Sequence, residues 1–153
     1  MSKDSRTQIF IKAESLLNDF EHAVLRLTSA LEQPENEFIR DAAIQRFEFC
    51  FELAWKGVQI IAKLEAQECP SPRTAFATAW RNGWISDEEA WLDMLDARNR
   101  TSHTYRETLA EEVFADLPRF LPALTLLHSA LIKRFQEIKS KAEQPKQAEP
   151  PPP

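Results

Sequence analysis

The residues best suited to chemistry fall in one short stretch, Asp93 to Tyr105, which reads DMLDARNRTSHTY. On a continuous helix Trp91, Leu95, Arg98, Ser102 and Tyr105 share one row, because their spacings alternate between four and three. Asn99 and His103 form an adjacent row at i and i+4. An apolar stripe therefore runs into a guanidinium, an imidazole, a phenol, a hydroxyl and an amide where periodicity calls for core residues. Arg98 offers a planar fork matched to phosphate oxygens. His103 carries an imidazole, which ordinarily exchanges a proton near neutrality. Spacing alone also allows a structural role, with Arg98 paired to Asp93 or Asp96, His103 at a helix C-terminus, and Tyr105 packed with its hydroxyl in water.

The elements that must position this stretch are helical. Only 2 glycines occur in 153 residues, against an average of about 7%, so glycine-dependent phosphate loops and hairpin-rich sheets lose the residue they turn on. Ile9, Ala13, Leu16, Phe20, Ala23, Leu27 and Leu31 define a first amphipathic helix that ends before Pro34. A second helix, over roughly 38–66, carries two apolar rows. One runs through Ile44, Phe47, Phe51, Ala54, Val58 and Ile61, the other through Phe49, Leu53, Ile60 and Leu64. Two rows place it in the centre of a bundle or between a core and a subunit interface. Gly57, inside it, suggests a close helix crossing.

Ser71-Pro72 opens a short third helix, which Asn82-Gly83 closes. Ser86 with Glu89 reads as a capping box for a fourth helix reaching at least Asn99, and Thr108 with Glu111 as a second such box. A last segment through Val113, Leu117, Leu121, Leu124, Leu127, Leu131, Phe135 and Ile138 contains Pro118 and Pro122, so an interruption is expected there. The fold expected is all-α, an up-and-down antiparallel bundle of about five helices in one domain over 1–139. A disordered proline-rich tail is expected over 140–153, where five of the ten prolines fall.

A formal net charge of -5 argues against a generally basic nucleic-acid binder, though not against a local basic cleft. Cys50 and Cys69 lack metal or disulfide spacing and read as packing thiols of a reducing compartment. His22 and His128 read as rim or surface residues. With no HExxH-like spacing, no metal is expected, and no cofactor either. The absence of a signal-like or spanning apolar run makes the cytoplasm the expected location, without membrane association.

The stretch RFEFCFELAWK at 46–56, SPR at 71–73 and WLDMLDARNRTSHTY at 91–105 together resemble the bacterial nucleotidyltransferase substrate-binding family, the HepT-like branch of the HEPN superfamily. The resemblance spans roughly 9–135, and Arg98, Asn99, His103 and Tyr105 match its R-x4-6-H-x-Y signature. It implies a helical homodimer in which Arg98 and His103 of both subunits line a shared cleft. It further implies a metal-independent endoribonuclease toxin, and as partner a minimal nucleotidyltransferase, the antitoxin, which adenylylates Tyr105. In that frame Arg98 and His103 are the catalytic candidates and Asn99 and Ser102 support them. Tyr105 is the modification site, and Arg100 and Arg106 are possible contacts to the RNA substrate. Arg46, Glu48 and Lys56 read as interface or salt-bridge residues. The alternative is a non-catalytic subunit that binds a nucleotide or other substrate for the nucleotidyltransferase.

Overall fold

The computed structural model describes residues 2–144 and 151–153. Five helices follow one another: α1 Lys3–Leu31, α2 Glu37–Leu64, α3 Pro72–Arg81, α4 Glu88–Arg100 and α5 Glu107–Glu143, with a single 3-10 turn, Thr101–His103, between α4 and α5. The chain is an all-α bundle.

The three long helices form its body. α1 runs antiparallel to α2, with Arg46 donating to the Arg26 carbonyl oxygen at 2.7 Å. It also runs antiparallel to α5, where Phe10 meets Phe135 and Phe20 meets His128. α2 and α5 share a direction, since Arg40 at the start of one lies near Glu107 at the start of the other. The shorter α3 and α4 carry the chain back between them.

The core follows the apolar rows. Phe20, Phe47, Phe51 and Phe120 are fully buried. Phe47 stacks on Phe120 with ring centroids 5.6 Å apart. Phe51 meets Phe76 edge-on at 5.6 Å, and Phe76 meets Trp91 at 4.6 Å. This aromatic series ties α5 through α2 to α3 and α4, so the helix bearing Arg98 is fixed by rings that exclude water and leave few alternative packings. Gly57 sits where α1 and α5 converge on α2. A Cβ there would meet the Leu131 side chain at 3.1 Å and that of Leu16 at 3.5 Å, so the close approach is by side chains rather than backbone.

Several local expectations need correction. α4 is capped by Asp87, whose carboxylate accepts from the Ala90 amide at 3.0 Å; Ser86 lies one residue too early. α5 begins at Glu107 without a side-chain cap, which places Thr108 inside the first turn. That helix passes through Pro118 and Pro122 unbroken. Both prolines are exposed, while Val113, Leu117, Phe120, Leu124, Leu127 and Leu131 stay buried in helical phase across them. Burying that continuous row outweighs the missing N–H donors. His128 sits half-buried at the rim but is tied to α1: its Nε2 lies 3.0 Å from the Leu17 carbonyl oxygen, and its ring meets Phe20 edge-on. α5 also continues past residue 139 to Glu143, and Gln144, next to a proline in sequence, is extended. The remainder of the expected tail, save 151–153, lies outside the described residues.

Candidate functional site

α4 stops at Arg100 for a local reason. The Thr101 hydroxyl donates to the Arg98 carbonyl at 2.6 Å, and the Thr104 hydroxyl donates to the Thr101 carbonyl at 3.0 Å. Hydroxyls that satisfy helix-end carbonyls compete with further α-helical bonds. The chain tightens into the 3-10 turn, and the Arg106 amide closes on the His103 carbonyl at 3.1 Å. The row that a continuous helix would draw through Arg98, Ser102 and Tyr105 is therefore broken. Arg98 and Asn99 remain on α4, Ser102 and His103 lie on the 3-10 turn, and Tyr105 stands in the connection to α5.

The turn produces a contact that helical spacing does not. Tyr105 Oη lies 3.4 Å from His103 Nδ1, and the two rings meet edge-on with centroids 6.0 Å apart. Arg106 lies over the Tyr105 ring, its Cζ 5.9 Å from the centroid. Tyr105 is 76% exposed, and Asn99, Ser102 and His103 are exposed too. An imidazole that uses Nδ1 toward the phenol keeps Nε2 open to an incoming group.

Arg98 is anchored on α2. Its Nη2 donates to Glu52 Oε1 at 3.0 Å, and its Cζ lies 5.8 Å from the centre of the Phe51 ring. The other Glu52 oxygen accepts from Trp55 Nε1 at 3.1 Å and faces Lys56 Nζ at 3.5 Å. Burial by itself would raise the Glu52 carboxyl. The Trp55 and Arg98 hydrogen bonds, with the charges of Lys56 and Arg98, outweigh it and hold that carboxyl below its ordinary value. Glu48, one turn earlier, is shifted the other way: burial raises it, and the Arg98 charge only partly opposes the rise. One Arg98 donor is occupied by Glu52, and the rest of the fork is left for an anion.

Neither pairing that spacing offered Arg98 is formed. Asp93 instead pairs with Arg119 at 2.7 Å, and Asp96 with Arg100 at 3.2 Å. Arg100 also faces Glu112 at 3.5 Å and Asp116 at 3.6 Å, so a phosphate approaching it has three carboxylates to displace. Arg106 is in the open and Arg100 is not. Arg46 serves the α1–α2 seam. Glu52 and Trp55, which orient Arg98, were not singled out from sequence; the signal available was the i, i+4 pair of Glu52 with Lys56 inside RFEFCFELAWK.

Both cysteines are buried. Burial pushes the Cys50 thiol up to about 12, and Cys69 contacts the Thr78 hydroxyl at 3.4 Å, as expected of packing thiols. Among the described residues no group of three or more His, Cys, Asp or Glu side chains has metal-holding geometry. No helix among them is long and apolar enough to cross a membrane.

Residues 15–133 match the family described as nucleotidyltransferase substrate binding protein like. The chain belongs to this HepT-like, nucleotidyltransferase substrate-binding family. Within it, the chain is 33% identical over 99 residues to a probable ribonuclease HepT from Haemophilus influenzae, covering 61% of this chain and 68% of that one. A solved structure from Thermus thermophilus superposes with a TM-score of 0.66 at 35% identity, covering 76% of this chain and 98% of the other. A Haemophilus influenzae structure, described as revealing the fold of a substrate binding domain of a nucleotidyltransferase, superposes with a TM-score of 0.57 at 26% identity, covering 80% and 98%. The family match contains every candidate from Arg98 to Arg106, as well as Glu52.

Proposed function

We propose that this HepT-like chain is a metal-independent endoribonuclease toxin, acting in the cytoplasm as a homodimer and silenced by a minimal nucleotidyltransferase that adenylylates Tyr105. The observation that carries the proposal is the exposed pairing of the Tyr105 phenol with His103 Nδ1, in the turn that directly follows the helix bearing Arg98, whose fork is held but not filled. The Haemophilus influenzae relative, described as a probable ribonuclease, supports the same reading.

In the reaction His103 Nε2 takes the proton of a ribose 2'-hydroxyl. The 2'-oxygen attacks the adjacent phosphorus, and the P–O5' bond breaks as the 5'-oxygen leaves. Arg98 donates to the non-bridging oxygens as negative charge builds on them. The leaving 5'-oxygen needs a proton, and one chain brings one His103 to the cleft. The His103 of a second copy supplies it across a two-fold axis. Asn99 and Ser102 position the substrate. The second apolar row of α2 is buried at Ile60 and Leu64, half-buried at Leu53 and exposed at Phe49, as suits a helix partly reserved for a partner subunit.

Adenylylation joins the Tyr105 oxygen to the α-phosphate of ATP with loss of pyrophosphate. The added phosphodiester brings one negative charge and a bulky nucleoside next to His103 and opposite Arg98. Access closes without unfolding.

The test is cleavage of tRNA and mRNA by purified protein in excess chelator. Wild type should cut, while Arg98→Ala and His103→Ala should lose about 10²-fold or more in rate; equal activity from His103→Ala would remove the mechanism. A second reading, a non-catalytic subunit that presents a substrate to the nucleotidyltransferase, is favoured by the description of the Haemophilus influenzae structure. Tight nucleotide binding with no RNA loss would select it.

A further inference from the structure

A groove of about 600 Å³ lies between α1 and α2, beside the connection into α3. Ile9, Leu16 and Ile60 give it an apolar lining, and Lys12, Lys56 and Lys63 give it three ammonium groups. Lys56 and Lys63 are seven residues apart on α2, which places them on one face about 10 Å apart along the axis. Lys12 comes from α1. Glu68 is the one carboxylate on the lining, so the groove carries a positive surplus on a chain whose formal net charge is -5. Among the described residues Lys12 and Lys63 have no ion-pair partner, and Lys56 has Glu52 alone.

The groove and the candidate site share one ion-pair network through Glu52. Lys56 faces one oxygen of Glu52 while Arg98 holds the other. A strand whose phosphate is gripped by Arg98 therefore passes Lys56 and meets Lys12 and Lys63 next. Ammonium groups suit the phosphates of such a strand, and an apolar floor suits base faces, which stack or pack without sequence preference. The volume falls within the range of small-molecule clefts, enough for a nucleotide to enter. A lone inorganic anion would leave the apolar floor unused, and a peptide helix laid there would have to be acidic as well as apolar.

We propose that this groove binds the single-stranded RNA segment flanking the scissile phosphodiester, with phosphates on Lys12, Lys56 and Lys63 and a base or sugar against Ile9, Leu16 and Ile60. The assignment rests on the nuclease reading and adds to it a binding surface outside the reacting atoms. It also accounts for RNA binding by an acidic chain without calling on Arg100.

The test uses a fluorescein-labelled single-stranded RNA of about 12 nucleotides, within the size range of single-strand sites. The full chain carries His103→Ala so that the probe survives. Adding Lys12→Ala and Lys63→Ala should weaken binding about tenfold at low salt and reduce the slope of log K against log salt by about 1.4, the value for two lost phosphate contacts. In the chain with His103 intact, the same two replacements should raise KM for RNA and leave kcat at saturation unchanged. Lys12→Arg with Lys63→Arg should restore binding. Unchanged affinity and salt slope, in a chain that does bind the RNA, would overturn the groove assignment while leaving the nuclease reading intact. Failure of the His103→Ala chain to bind any RNA would remove both. Lysine replacements that spare RNA binding but prevent capture of the nucleotidyltransferase would reassign the groove to a protein partner and so overturn the proposal.

Discussion

Replacing Glu52 with Gln isolates what a carboxylate does beside the phosphate-gripping arginine. Glu52 is 35% exposed at its side chain and Arg98 46%, so their ion pair is partly hydrated and contributes at most about 1 kcal/mol to stability. Gln keeps one oxygen to accept from Arg98, but its NH2 cannot replace the oxygen that accepts from Trp55, so with the ion pair and one hydrogen bond lost the expected fall in Tm is about 4–8 °C or less. The larger effect is on substrate. A phosphate on the far side of the Arg98 fork lies about two hydrogen-bond lengths, roughly 6 Å, from the Glu52 carboxylate. At that distance in water two unit charges repel by about 0.7 kcal/mol, or about threefold in affinity. Glu52→Gln should therefore tighten RNA binding about threefold in low salt, measured by fluorescence anisotropy on the His103→Ala background. The gain should shrink as added salt screens the repulsion. RNA affinity that is unchanged or weaker, in a variant that melts normally, would mean that the phosphate does not sit at Arg98, and the reasoning would fail.

Three further substitutions probe the scaffold around the site. Asp87→Ala should lower stability by about 1 kcal/mol through loss of the α4 cap, whereas Ser86→Ala should be nearly silent; thermal melts of the pair decide which residue caps the helix. Pro122→Ala restores an N–H on the exposed face of an unbroken helix and should raise Tm by several degrees, since proline is about 3 kcal/mol poorer than alanine in a helix interior; a lower Tm would show that the helix depends on the proline ring. Glu48 has a folded pKa raised by burial, so its ionised form costs stability at neutral pH, and that cost disappears as pH falls through the raised value. Glu48→Gln should accordingly raise Tm at pH 7, and the difference should close below about pH 4, where the carboxyl is protonated in both states; a difference that grows in acid would reverse the sign.

The body of the bundle was legible in the sequence because long helices bury one phase of residues for many turns. The row from Ile9 to Leu31 and the two rows of α2 drew their elements to within a few residues, and Ser71-Pro72 and Gly83, with φ of 73°, ended α3 where local stereochemistry demands. Short-range signals failed where tertiary burial or a neighbouring residue competed. Pro118 and Pro122 suggested a break that the apolar row overrode, and Asp87 took the cap that Ser86 and Glu89 seemed to form. The candidate residues themselves were named from their types and the family signature. Their arrangement was not, because helical spacing cannot anticipate that the Thr101 and Thr104 hydroxyls would tighten the chain and turn Tyr105 onto His103. Nor does a one-dimensional pattern show that Glu52, separated by 46 positions from Arg98, holds it.

The most direct measurement of the shared-cleft nuclease is a subunit-mixing titration. Wild-type chain is mixed with increasing His103→Ala chain at constant total protein, left to exchange, and assayed for RNA cleavage in chelator. If each cleft needs an imidazole from both subunits, activity should fall as the square of the wild-type fraction. A linear fall would mean that each chain cuts by itself, and would contradict the account.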